Sequence, residues 1–293
     1  MTIHISMLEF KRYMKAVKRE LSFEEHDLVF IGMADVSLVR WCEQKSVFKN
    51  KEMELNFFMS SLIDILEYAK ELGYISVKME PPPEKLLELR SKISFDDIEK
   101  ILSKRKAERA SVAIEIPMIE GLDEDKIRKL EDLFLKGATP TEFINQIRTL
   151  CPTISSTTLG EILECYKERY PTVRWNFDWE DYVVIGVPDG ITDRFVYEYK
   201  TTGNMWLLRW MKPVAMTQAD LYGYFFKRKE KRVQIMTRDD GTIHTWHEKV
   251  DTSSALDALK RFKEVERGAR KPIPPARWKC RLCEFKERCE IKT

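Results

Sequence analysis

The sequence predicts an α/β chain, with a helical N-terminal half and strands gathered in the C-terminal half. Three observations carry this. Apolar residues recur at helical spacing through residues 51–150, the texture changes after Pro171 to β-branched and aromatic runs, and turn residues separate those runs. With 293 residues and 43% hydrophobic content, the chain can bury a real core in one large domain or two small ones.

Residues 1–50 read as an N-terminal helical segment, with mixed charges around apolar positions, that ends in Val39-Arg40-Trp41-Cys42. Residues 51–154 read as a helical insertion. Within it Leu55, Phe58, Met59, Leu62, Ile65 and Leu66 recur at steps of three and four, Ile98, Ile101 and Leu102 begin a second amphipathic stretch, and Pro81-Pro82-Pro83 forms a stiff connector between them. Gly137-Ala138-Thr139-Pro140 combines a helix stop with a new start. The third segment, 155–250, opens on a helix at Thr158–Tyr166. Strands follow at Val173–Trp179, Tyr182–Val187 and Phe195–Thr201, the last two separated by Pro188-Asp189-Gly190. Thr217–Phe226 reads as a helix, and Arg232–Thr237 with Ile243–Glu248 as a hairpin around Asp239-Asp240-Gly241. The fourth segment, 251–293, holds a helix over Asp251–Arg267 and a cysteine-rich tail.

No apolar stretch approaches the ~20 residues that cross a bilayer; the nearest, Leu28–Val39, is broken by Asp35. No charged-then-apolar leader is evident either, so the expectation is a cytoplasmic protein with no membrane partner. Fifty basic and 48 acidic residues leave a net charge of +2. From Leu221 to Thr293, however, 19 Lys and Arg face 11 Asp and Glu, an excess of +8 that leaves −6 upstream. A basic C-terminal region can hold a phosphate backbone while an acidic remainder supplies carboxylates for metals. A solvated charged surface would give the same counts.

Asp189 closes one predicted strand, and Glu198-Tyr199-Lys200 lies on the next. Because strand side chains alternate, Glu198 and Lys200 share a face. Carboxylates that hold divalent metal against a phosphodiester, beside a cation that orients water and offsets transition-state charge, suit hydrolysis of that bond. Mg²⁺ and Mn²⁺ match such hard oxygen ligands. A salt-bridged strand face would also present Glu-x-Lys.

Pro188-Asp189 followed by Glu198-Tyr199-Lys200 resembles the PD-(D/E)xK core, and Gln218-Ala219-Asp220-Leu221-Tyr222 resembles the Q-x-x-x-Y motif of its RecB-like branch. The i, i+4 spacing places Gln218 and Tyr222 on one helical face. The resemblance implies a mixed central sheet flanked by helices, a restriction-endonuclease-like core over 155–250. It implies catalytic roles for Asp189, Glu198, Lys200, Gln218 and Tyr222, and metal ligation by Asp189, Glu198 and the Tyr199 backbone carbonyl. It further points to an acid on the preceding helix, four residues after a glycine: Gly160 and Glu164 have that spacing, with Glu161 a rival. Core packing among Leu221, Tyr224 and Phe225 is the alternative use of Tyr222.

Cys280-x-x-Cys283 and Cys289 group three thiols near the C-terminus, which suits a metal site completed by Cys42, Cys151 or Cys165. A distant N-terminal cysteine with such a C-terminal group, bracketing a PD-(D/E)xK core, resembles the RecB-like iron-sulfur nucleases: the CRISPR-associated Cas-four exonucleases above all, the AddB-type nuclease domains and the mitochondrial exonuclease-five group. By that resemblance Cys42, Cys280, Cys283 and Cys289 hold a 4Fe-4S cluster joining both ends, while Cys151 and Cys165 are buried thiols. All-cysteine zinc is the alternative the spacing leaves open. The activity implied is a metal-dependent DNA exonuclease trimming single-stranded DNA or single-stranded ends, with CRISPR adaptation proteins among its partners. A non-catalytic DNA-binding or scaffold subunit is the other reading. Arg209, Tyr222, Lys227, Arg228 and Lys229 are the candidate DNA contacts, with Trp206 and Trp210 as stacking or core residues.

Overall fold

A computed structural model describes residues 29–77, 81, 83–107 and 122–289, and shows mixed sheets flanked by helices. In chain order the elements are β1 (Val29–Gly32), α1 (Met33–Ser37), α2 (Glu43–Glu71), α3 (Pro83–Lys92), α4 (Phe95–Ala107), α5 (Glu124–Leu135), α6 (Pro140–Leu150) and α7 (Ser156–Ile162). They continue with β2 (Trp175–Trp179), β3 (Tyr182–Gly186), β4 (Gly190–Ile191), β5 (Phe195–Thr202), α8 (Met205–Phe225), β6 (Glu230–Thr237), β7 (Ile243–Lys249), α9 (Thr252–Glu266) and α10 (Arg277–Arg281). Single 3-10 turns cover Leu38–Arg40 and Leu163–Tyr166. Residues 1–28 of the expected N-terminal helical segment, Pro82 of the connector and residues 108–121 of the expected insertion lie outside the described residues.

Two compact units contain the described residues: 29–32, 50–107 and 173–186 in one, 33–49, 122–172 and 187–289 in the other. In the first, β1 runs parallel to β3 and β2 antiparallel to it, in the order β1-β3-β2. Val29–Gly32 is thus a strand where the sequence predicted helix. Its apolar, β-branched run has no alternation to betray it, and its partner, Tyr182–Ile185, lies about 150 residues downstream. Asn50 secures this edge, accepting from Gly32 N at 3.0 Å and donating to Phe30 O at 2.9 Å. Phe58, Leu62 and Ile65 bury the face of α2 that the periodicity predicts, whereas Leu55 is exposed. Pro83 does not extend the connector; it opens α3, where its missing N–H costs nothing.

The second unit is built on a sheet in the order β4-β5-β6-β7, with β5 and β6 parallel and joined through α8. Both faces are covered. Tyr197 and Tyr199 of β5 and Met236 of β6 pack with Phe143, Ile144, Ile147, Leu159, Ile162 and Leu163 from α6, α7 and the following turn. The alternating residues Glu198 and Lys200 fall on the opposite face of β5. The start of α6 follows the predicted local code: Gly137 takes φ +82°, and Thr139 caps the helix in a reciprocal capping box with Glu142, ahead of Pro140. α8 begins at Met205, twelve residues before its predicted start; Asn204 caps it by accepting from Leu207 N, and Pro213 sits inside it. A buried pair ties three elements together: Lys231 Nζ of β6 lies 2.5 Å from Asp220 Oδ1 of α8, which also accepts from the backbone of Asp251 before α9 at 2.7 Å.

Candidate active site

Asp189, Glu164, Tyr199 and Lys200 line one polar cleft of about 330 Å³ in the second unit, together with Gly160, Thr201 and Arg238. Asp189 is aimed by the strand it faces, since its Oδ2 accepts from Tyr199 N at 2.9 Å. Its Oδ1 pairs with Lys167 Nζ at 2.9 Å, and the same ammonium stands 3.8 Å from Glu164 Oε2. Lys167 was not legible as a site residue in the sequence. Burial works against its charge, but the Asp189, Glu164 and Glu198 carboxylates outweigh burial and raise its pKa.

Glu198 does not line the cleft; it is buried, 1% exposed, beside Lys200, which does. Lys200 Nζ is 2.5 Å from its Oε1; beyond this ion pair neither carboxylate oxygen has a hydrogen-bond partner. Burial pushes the Glu198 carboxyl up to about 8 despite Lys200. Burial also opposes the charge on Lys200, yet Glu198 and Asp189 hold its proton more tightly than usual. Gln218 and Tyr222 do share a face of α8, and Gln218 Nε2 donates to Tyr222 Oη at 2.8 Å. Both are buried, at 4% and 2% exposure. Burial, then the Glu198 charge, holds the Tyr222 hydroxyl well above its ordinary pKa.

Oxygen ligands for a hard divalent cation are therefore present in Glu164, Asp189, Glu198 and the Tyr199 carbonyl. Among the described residues no three His, Cys, Asp or Glu groups are gathered as a ready-made ion site. Ammonium groups stand among the acids instead: Lys167 beside Glu164 and Asp189, Lys200 beside Glu198. The donor set suits such a cation in its chemistry: hard carboxylate and carbonyl oxygens, with a buried carboxylate whose one polar partner among the described residues is the Lys200 ammonium.

Cys42, Cys280, Cys283 and Cys289 line a separate cavity of about 60 Å³ in the same unit. Cys42 immediately precedes α2, and backbone N–H groups of Lys45 and Gln44 point to its thiol; burial nevertheless raises its pKa, as do the nearby Cys283 and Cys289. The two chain segments also meet through side chains. Glu43, 3% exposed, accepts from Arg270 Nη2 and from Ile273 N, each at 2.8 Å, and Lys279 Nζ donates to Trp41 O at 3.0 Å. Cys151 and Cys165 belong instead to the apolar cluster under β5.

Trp206 is 46% exposed and packs against Trp278 with ring centroids 4.6 Å apart and planes tilted by 60°, with the Arg209 guanidinium 4.9 Å from its ring centroid. Trp210 is half-buried against Trp278 at 5.8 Å. The cleft does not include Lys227, Arg228 or Lys229. They precede β6, whose first residue pairs with Phe195, whereas Thr201 and Arg238 lie at the other end of the β5–β6 ladder. Arg228 directs its guanidinium to the carbonyls of Thr192, at 2.5 Å, and Phe226, at 2.8 Å.

The fold and site define a mixed α/β protein with a carboxylate-lysine cleft and a four-thiol cavity. No protein-family model matches the chain, and no curated protein matches it. Among solved structures, that of SSO0001 is similar at 18% identity, covering 67% of this chain and 98% of that one, with a TM-score of 0.36, too low to carry an argument. Among the described residues no helix is long and apolar enough to cross a membrane.

Proposed function

We propose that this chain is a divalent-metal-dependent deoxyribonuclease of the RecB-like PD-(D/E)xK type, acting on single-stranded DNA or single-stranded ends. The observation that carries the reading is the placement of Asp189, Glu164 and Lys200 on one cleft, with Lys200 paired to Glu198, a buried carboxylate that has no other polar partner among the described residues. Glu164, Asp189, Glu198 and the Tyr199 carbonyl would hold Mg²⁺ or Mn²⁺, which when bound polarises a phosphodiester and makes water a stronger nucleophile. Lys200 keeps its proton, so it acts as a fixed positive charge beside the reacting phosphate and orients water by donation. Tyr222, braced by Gln218, belongs to the buried part of α8, the helix that packs on β5 and helps keep solvent from Glu198.

Four thiols around one cavity support a 4Fe-4S cluster held by Cys42, Cys280, Cys283 and Cys289. Its role in this reading is structural, joining the start of α2 to the C-terminal segment. CRISPR adaptation proteins are the partners that the resemblance to the Cas-four group suggests. Incubation of purified protein with end-labelled single-stranded DNA in Mg²⁺, Mn²⁺ or EDTA tests the activity, with shortening expected only with metal. Intact DNA in every lane refutes it and leaves a binding or scaffold role. Iron, sulfide and zinc analysis of anaerobically prepared protein tests the cluster, and stoichiometric zinc without sulfide would overturn it.

A further inference from the structure

We propose that Arg238 forms, with Thr201, a second phosphate subsite in the cleft that grips a backbone phosphate next to the one being cut. The proposal rests on the nuclease reading and deepens it. Arg238 follows β6 directly and lines the same cleft as Asp189 and Lys200. Among the described residues its guanidinium makes one hydrogen bond, Nη1 to Thr201 Oγ1 at 3.0 Å, and no carboxylate stands within ion-pair distance. Glu161 and Glu164 line the cleft too, but neither pairs with it. Its Nε is buried without a partner. Burial lowers the Arg238 pKa and no neighbouring charge counters this. A half-buried guanidinium without an anion is costly to keep, and a structural arginine would be expected to have one.

The mounting is rigid. Arg238 N donates to Thr202 O at 2.8 Å, and Arg238 O accepts from Arg148 Nη2 at 2.9 Å. Room for the guanidinium depends on Gly160, where a Cβ would stand 2.7 Å from Thr201 Oγ1 and 3.0 Å from Arg238 Nη1. Glu164 and Asp189 have an ammonium partner in Lys167, and Glu198 has one in Lys200, whereas among the described residues Arg238 has no acid. A phosphodiester oxygen pair matches the forked donors of arginine. The cleft thus offers acids for a metal-bound phosphate and, within the same cavity, a forked cation for its neighbour.

The test is binding of a fluorescein-labelled oligothymidylate by anisotropy across a salt series, with Ca²⁺ in place of Mg²⁺. It is repeated with oligonucleotides carrying one neutral methylphosphonate at each linkage in turn. Arg238→Gln should lower affinity about ten- to a hundredfold. It should reduce the slope of log K against log salt by about 0.7, the loss of one phosphate contact on a single strand. It should also erase the sensitivity to methylphosphonate at one linkage, while Arg238→Lys keeps the parent's salt slope. Gly160→Ala, which crowds Arg238 without removing it, should reproduce the slope change, and it decides the matter if Arg238→Gln fails to fold. Folded variants with the parent's slope and linkage profile would overturn the subsite while leaving a cleaving parent a nuclease. A parent that neither binds nor cuts the oligonucleotide would overturn both.

Discussion

Asp35 is a buried acid whose charge the fold does not satisfy. It lies in α1, 7% exposed, with Oδ2 lacking any hydrogen-bond partner. Burial pushes its carboxyl from the ordinary 3.8 up to about 7, with Lys49 only partly opposing it. The folded state therefore keeps a proton that the unfolded chain has already lost at pH 5. Stability contributed by the protonated group is complete near pH 4, declines as pH rises, and is lost above about pH 7. At about 1.4 kcal/mol per pH unit, the charged form costs up to about 4 kcal/mol at pH 8. Asp35→Asn removes the charge at nearly constant shape. It should be more stable than the parent at pH 8, by an amount below this limit because the amide brings donors of its own. The two should converge towards pH 4. Urea unfolding of both proteins at pH 5, 6, 7 and 8 measures the difference, in which contributions from other groups, such as the similarly raised Asp64, cancel. A stability difference that is the same at pH 5 and pH 8 would refute the reasoning.

Three further outcomes follow from the site. Asp189→Ala, Glu198→Ala and Lys200→Ala should each slow cleavage of end-labelled single-stranded DNA at least about a hundredfold while retaining binding; wild-type cleavage by any of them removes that residue from the site. With the proposed cluster, Cys42→Ala or Cys283→Ala should lose its brown colour and up to about 4 kcal/mol of stability, since such a link would close most of the chain into a loop. Cys151→Ala or Cys165→Ala should keep its iron, and the opposite pattern would reassign the ligands. Tyr222→Phe deprives the buried Gln218 amide of its acceptor, so unfolding free energy should fall by about 1–3 kcal/mol. Cleavage should fall with it through misalignment of Glu198, and an unchanged melting curve would count against the buried contact.

Features coded over a few residues were legible in the sequence. The helix stop and new start at Gly137-Ala138-Thr139-Pro140, the alternation that sets Glu198 and Lys200 on one face of β5, the placement of Gln218 and Tyr222 on one face a helical turn apart, and the helical periodicity of α2 and α4 depend on neighbours within about four positions. Tertiary structure decided what depends on distant partners. Val29–Gly32 becomes a strand only because Tyr182–Ile185 offers it a ladder. Gln218 and Tyr222 come to be buried because α8 packs on β5, which no spacing within the helix reveals. Lys167 and Arg238 were invisible for the same reason. One is an ordinary lysine after a helix and the other an arginine before a turn, until folding sets the first between Glu164 and Asp189 and the second beside Thr201 without an acid. Cys42 could be ranked above Cys151 and Cys165 only through a family resemblance. Chain folding brings its thiol to the cavity of Cys280, Cys283 and Cys289 and leaves the other two in the apolar core, because solvation and packing act on neighbours in space rather than in sequence.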